Sequence, residues 1–503
     1  MSSIKSLAGQ TIWYGASSIA ARFLNYLLTP YLTGKLSGSG YGEMSLVYAA
    51  IPFLNVIFTY GIETAYFRFS QKDEFKRDIY STSSISILIS TIVLTIAMLA
   101  SQNMLAHWLR IDTHPEFIIY ITLIIAFDTL SALPFSKLRQ DRRPRKFASI
   151  RIISILLTMF LTYFFISICP RIVAADPHGF VARHYLTGYG VGYVIISNLI
   201  ASFVTLLLLS KQLFQITWVF NKQIWRTIMI YSLPLVVAGF GGMINETFDR
   251  IMLGWLAPVH GAEASKIEVG IYSSCYKLSL LITLFIQAFR MGAEPFFFKE
   301  SEGKNPQRVY ARVMKFFVIT ITLMFLLVAL YLDVWKYFIR NKTFWVGLRV
   351  VPILLLANMF LGIYYNLSIW YKLTHKTISG AYITIIGAFV TLIINYIFIP
   401  YYSYMACAWA TFFCYGTMMV ISFVWGQKAY RIPYAWKKLV AYMVIVILLF
   451  FIHKGLTFIW TANTFSLVLA TIIVISYAVF VSKIERKELH SLPVLGKFFR
   501  PVV

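Results

Sequence analysis

YSLPLVVAGFGGMINETFDRIMLGWLAP (Tyr231–Pro258) and VGIYSSCYKLSLLITLFIQAFRMGAEPFFFKE (Val269–Glu300) are two apolar runs of membrane-spanning length separated by a short polar loop. Glu246, Asp249, Arg250, Lys277, Arg290 and Glu294 lie inside them. A charge at the centre of a bilayer costs about 2.5–3.5 kcal/mol on insertion scales, so it normally faces a bundle interior or a water-filled cavity. Six ionisable side chains in one hairpin predict that this hairpin lines something polar. The rest of the chain reads as the scaffold around that cavity.

Composition agrees. The 503 residues are 59% hydrophobic and only 13% charged, where a soluble domain would carry about 25% charged residues. The class is an all-α polytopic membrane protein. Formal net charge is +25, an excess that in a soluble protein would suggest nucleic acid. Here the basic residues cluster in short loops between apolar runs, which points to membrane topology and to anionic lipid headgroups as partners, and away from nucleic acid. The four cysteines, Cys169, Cys275, Cys407 and Cys414, lie in or at the ends of apolar runs without metal-ligand spacing and read as small core residues. The first apolar run is too long for a signal-peptide core and reads as a retained helix.

A hydrocarbon layer of about 30 Å needs roughly 20 apolar residues per helix. On that ruler fourteen spans are expected, near 10–33, 44–67, 80–100, 117–137, 149–169, 186–210, 229–256, 270–297, 313–332, 349–371, 378–399, 404–426, 438–455 and 464–482. With the N-terminus placed in the cytoplasm, inside segments hold 31 of the 45 Lys and Arg, outside segments hold ten, and Arg22, Arg250, Lys277 and Arg290 lie within spans. That asymmetry follows the positive-inside rule and places both termini in the cytoplasm.

The two halves look alike. Tyr41-Gly42 after span 1 resembles Gly270-Ile271-Tyr272 after span 7, and Arg22 in span 1 matches Arg250 in span 7. The expected organisation is an N-lobe over 1–210, an amphipathic cytoplasmic linker over 211–228, a C-lobe over 229–426, and over 427–503 a C-terminal helix pair with a basic tail. The two six-helix lobes would be related by a pseudo-two-fold axis. Duplicated lobes with a polar site between them are a transporter pattern.

Several motifs carry a family resemblance. Leu36–Gly42 (LSGSGYG) resembles the LG-x-x-x-Y-G turn of polysaccharide exporters, as does Gly61–Phe69 (GIETAYFRF). Ser232-Leu233-Pro234, Asp249-Arg250 and Gly270-Ile271-Tyr272 are similar to that family's second lobe, and Asn395 with Ile399-Pro400 to its helix 11–12 corner. The likeness covers most of 1–430. It implies the MOP superfamily and, within it, the Wzx-type oligosaccharide-lipid flippases, related to lipid II flippases. It further implies alternating access, a central cavity, a bacterial inner membrane, an undecaprenyl-diphosphate-linked oligosaccharide as substrate and polysaccharide polymerase machinery as a partner.

The residues themselves rank as follows. Arg22 and Arg290 lie deep in their spans and are candidates for binding a pyrophosphate or a sugar acid. Arg250 and Lys277 are candidates for the same role or for pairing with Asp249 or Glu246. Asn55 is a candidate cavity-lining amide or interhelical hydrogen-bonding group. Glu246, Asp249 and Asp128 are candidate ion-coupling carboxylates, or neutralising partners for arginine. The sequence holds no Walker A, H-E-x-x-H or D-x-D motif, so no catalytic residue, metal site or cofactor is expected, and Na+ or H+ coupling stays open. Two rivals stand beside the leading reading: a lipid II flippase, and a cation-coupled multidrug antiporter, whose positive substrates disfavour cavity cations. A glycan polymerase or ligase would need a large outer loop, which the sequence lacks. Finally, a polyprenyl tail needs an apolar path, expected beside spans 13 and 14.

Overall fold

Hydrocarbon offers the backbone no hydrogen-bond partners, so each crossing segment must satisfy its own N–H and C=O groups and becomes a helix. The computed structural model describes residues 19–20, 22–71, 75, 78–258, 261–301 and 303–486. Residues 22–35 are helical (α1). Thirteen further helices are long and apolar enough to cross a membrane: α2 Gly38–Thr59, α3 Ile79–Ala100, α4 Glu116–Gln140, α5 Pro144–Ala175, α6 Gly190–Leu208, α7 Lys222–Leu256, α8 Ala262–Glu300, α9 Pro306–Ala329, α10 Lys342–Leu373, α11 Thr377–Tyr402, α12 Tyr404–Ala429, α13 Trp436–Ile459 and α14 Asn463–Ile484. The described residues contain no strand. The expected first span falls partly outside the described residues, and the chain is a multi-pass, all-α membrane protein.

Helix ends follow capping chemistry more closely than hydropathy. The Ser37 hydroxyl accepts from Gly40 N at the start of α2, and the Asn221 side chain accepts from Gln223 N and Ile224 N at the start of α7. Pro144 and Pro306 open α5 and α9 at the position where a missing N–H costs nothing. The helices α7 and α8 run to 35 and 39 residues, beyond the expected 229–256 and 270–297. Their extensions carry Lys222, Arg226, Glu263 and Lys266, whose side chains are compatible with a continued helix.

The connection before α7 differs from the expected surface helix. Helix covers only Ser210–Leu213, and residues 216–221 are non-helical. The backbone N–H of Thr217 donates to Ser81 Oγ at 3.0 Å and that of Asn221 to Thr82 Oγ1 at 3.1 Å. These hydroxyls on α3 supply partners that a helix would otherwise have provided internally, so the segment lies as a non-helical strap.

Two compact units emerge from the packing: residues 1–277, 339–347 and 378–414, and residues 278–338, 348–377 and 415–503. In the first, Tyr60, Ile62, Tyr66, Ile79, Leu133 and Ile228 form a buried cluster. The beginnings of α2 and α8 cross at backbone contact. A Cβ on Gly42 would fall 1.7 Å from Lys266 O, and one on Gly270 would fall 2.8 Å from Gly38 O. Only glycine permits that approach. Beside it the buried Lys266 ammonium lies 3.1 Å from Glu43 and 3.1 Å from the exposed Glu263. The two similar sequence motifs, Tyr41-Gly42 and Gly270-Ile271-Tyr272, therefore meet each other.

In the second unit α9 is the spine of the C-terminal pair. Thr322 and Tyr477 hydroxyls lie 2.7 Å apart, and Phe325 meets Phe450 edge-on. At one end Glu485, just past α14, accepts from Lys315 at 2.9 Å, Lys438 at 2.5 Å and Tyr442 at 2.6 Å. Burial pushes the Glu485 carboxyl up, but the hydrogen bonds from Lys438, Tyr442 and Lys315 outweigh it and hold it below the usual carboxylate range. Next to this clamp lies an apolar groove of about 180 Å³, lined by Met314, Leu367, Val420, Phe423, Leu439 and Val440 among others. Helices α9, α10, α12 and α13 form it, and α14 does not.

Candidate functional site

Among the described residues, the ionisable groups singled out from sequence fall mainly in three further clusters. The first, in the first unit, is built by α7 and α8. Asp249 is 4% exposed and Arg250 11% at the side chain, so both charges are withdrawn from solvent. Asp249 accepts from the Tyr272 hydroxyl at 2.5 Å, from Arg250 N at 2.8 Å and from Arg250 Nη1 at 3.1 Å. The guanidinium also donates to Glu246 O at 2.8 Å and lies 4.4 Å over the Tyr276 ring. A buried ion pair tolerates its desolvation only when its remaining donors and acceptors are filled in this manner. Lys277 sits half-buried within electrostatic reach of Arg250. The Glu246 side chain is exposed.

The second cluster, also in the first unit, joins α4 and α5 to the short helix Ile62–Phe69. Asp128 lies within interaction range of Ser202 on α6 and of the Arg151 guanidinium. Arg151 stacks 4.3 Å over Phe135 and shares the Phe147 ring with Arg139, each at 5.8 Å. Arg139 completes the chain with a 3.2 Å pair to Glu63. Asp128 and Arg151 are both exposed. Asn55 is half-buried on α2, and its carbonyl accepts from Thr59 Oγ1 at 2.6 Å.

The third cluster belongs to the second unit. Arg290 stacks 4.8 Å from the Tyr365 ring centroid and pairs with Glu294 at 3.3 Å. Glu294 is held more tightly by Lys372, at 2.6 Å. These three charged groups, with Tyr365, Asn366 and Ser368, line one pocket. Two cations face one carboxylate there, so the pocket is net positive. Arg22 lies exposed on α1, where none of the described carboxylates pairs with it.

Of the residues singled out from sequence, Asp249 and Arg250 are brought together, and Lys277 stands near them. Arg290 stands with Glu294. The reading from sequence missed Arg151, Arg139, Lys372, Tyr272, Tyr276 and Tyr365. A signal for Arg151 was present: Pro144 marks the first turn of α5, which puts Arg151 two turns inside the helix and not in a loop. The tyrosines carried no such signal among 32 in the chain.

A multi-pass helical membrane scaffold with charged clusters on its spans defines a class before it defines a protein. The fold is similar to those of solved transporters of the MOP superfamily. It superposes with a TM-score of 0.73 on the lipid II flippase MurJ in its inward closed conformation, at 16% identity, covering 95% of this chain and 100% of that one. A MATE structure in complex with MaD3S matches at 0.59, with 16% identity over 87% of this chain and 96% of that one. A MOP superfamily transporter from Pyrococcus furiosus matches at 0.54, with 14% identity over 84% and 94%. An uncharacterized membrane protein of Haemophilus influenzae is 21% identical over 413 residues, 79% of this chain and 93% of its own length. Residues 7–301 match the polysaccharide biosynthesis protein family, and the chain belongs to it.

Proposed function

We propose that this protein is a flippase that carries undecaprenyl-diphosphate-linked oligosaccharide units, for O-antigen, capsule or exopolysaccharide, across a bacterial inner membrane by alternating access. In this reading the six-helix lobes are 1–210 and 229–426, and both termini are cytoplasmic. The observation that carries the reading is the net positive pocket of Arg290, Lys372 and Glu294 on membrane helices. A diphosphate crossing a low-dielectric layer needs a counter-charge that stays ionised and offers paired donors, and guanidinium supplies both. Arg22 is the N-lobe counterpart. Membership of the polysaccharide biosynthesis family supports a glycan-bearing substrate. A multidrug antiporter is disfavoured because cations in the site repel cationic drugs.

Asp249 serves in this reading as the neutralising partner of Arg250, Glu246 stays a candidate beside them, and Asp128, accessible and close to Arg151, is the better candidate for coupling to H+ or Na+. The second reading, a lipid II flippase, is favoured by the extent of the likeness to MurJ, which covers the whole of that chain. The test is complementation of surface glycan in a flippase-null strain, with expression checked by immunoblot. Arg22→Ala and Arg290→Ala are expected to abolish export, with Arg22→Lys retaining part. Normal export from both alanine variants at normal expression rejects the anion-binding mechanism. Rescue of a lipid II flippase-depleted strain, without rescue of surface glycan, selects the second reading.

A further inference from the structure

The apolar groove of the second unit has no role in the reading above. We propose that it is a binding site for an anionic phospholipid, with an acyl chain in the groove and the phosphate on the basic connection between α12 and α13. The proposal does not depend on which molecule is transported.

The lining argues for the chain. No lining residue is charged, and the recess opens sideways, since Val420 and Trp436 are each 53% exposed. An apolar recess of this kind excludes water and accepts hydrocarbon. The rim argues for the anion. Residues 427–443 hold Lys428, Arg431, Lys437 and Lys438 and no Asp or Glu. Lys428, Arg431 and Lys437 are exposed. Lys438 and Lys315 immediately adjoin the lining residues Leu439 and Met314. The carboxylate facing these lysines is Glu485, which is buried and already engaged by Lys315, Lys438 and Tyr442. Two lysines against one carboxylate leave the rim positive. Tyr430, Tyr434 and Trp436 are interleaved with the cations, the composition that membrane helices place at headgroup depth. Basic pockets between membrane helices suit anionic headgroups.

Helix α10 separates this groove from the Arg290 pocket. Ile363 and Leu367 face the groove, while Gly362, Tyr365, Asn366 and Ile369 face the pocket. A molecule in the groove therefore lies on a different face from one held by Arg290, and a resident lipid fits better than the transported headgroup.

The experiment uses the full-length protein in mild detergent, exposed to phosphatidylglycerol or phosphatidylcholine of identical acyl chains, with retained lipid read by native mass spectrometry. The wild type is expected to retain one phosphatidylglycerol with roughly tenfold preference, given several cations at the surface. Arg431→Ala with Lys437→Ala, both at exposed positions that leave folding untouched, should bring that preference close to unity. Val440→Trp, which fills the groove, should remove the retained lipid. Equal retention of the two lipids by the wild type overturns the proposal, as does an unchanged preference in the double variant. Displacement of phosphatidylglycerol by undecaprenyl phosphate, one for one and blocked by Val440→Trp, overturns it in favour of the substrate tail.

Discussion

Replacing Asp249 by alanine should be among the most destabilising single changes in the chain. The substitution leaves the Arg250 guanidinium, 11% exposed, without its carboxylate, and the fully buried Tyr272 hydroxyl without its acceptor. Removing one partner of a buried ion pair costs about 3–5 kcal/mol. An orphaned buried hydroxyl adds about 1–3 kcal/mol in water-soluble proteins, but polar groups in membrane helices find substitute partners and lose closer to 0.6 kcal/mol. About 3.6–5.6 kcal/mol is therefore the expected total. With an unfolding entropy of roughly 2.1 cal/mol/K per residue, a chain of 503 residues converts that to a fall in Tm of about 3–5 °C. The assay is thermal unfolding in detergent followed by size-exclusion peak height. The double variant Asp249→Ala/Arg250→Met removes both charges and should recover most of the loss, because what costs energy is the unpaired cation and not the absence of the pair. A double variant as unstable as the sum of the two singles would refute the reasoning, as would a fall below about 1 °C for Asp249→Ala.

Gly42→Ala places a methyl 1.7 Å from Lys266 O, so the α2–α8 crossing must open, whereas Gly242→Ala meets nothing within 4 Å; the first should lower Tm sharply and the second leave it unchanged or raised by the better helix former, about 1 kcal/mol. Glu485, held below the usual carboxylate range, contributes stability that is present above the unfolded-state pKa and lost as pH falls through the folded one. Wild-type stability should therefore fall in acid more steeply than that of Glu485→Gln, and parallel slopes between pH 7 and 3 would contradict this. The four cysteines are buried without forming a disulfide, so the native protein should resist maleimide labelling until it is unfolded.

The sequence by itself determined the spans and the class. Burial in hydrocarbon is a property of each run taken alone: its length against the bilayer thickness, and its need to satisfy its own backbone. The expected span 378–399 and the observed α11, Thr377–Tyr402, differ by only a few residues for that reason. Asp249-Arg250 was also legible, being adjacent in the chain. Tertiary structure alone decided the rest, because pairing is a property of two positions. Glu294 meets Lys372 across 78 residues, Lys266 meets Glu43 across 223, and Lys315 meets Glu485 across 170. Hydropathy ranks each of these charges as a local cost and is silent about which partner offsets it. The strap before α7 shows the same limit: its amphipathic pattern reads as helix, and the hydroxyls of Ser81 and Thr82, reached through the fold, take the backbone donors of the non-helical form.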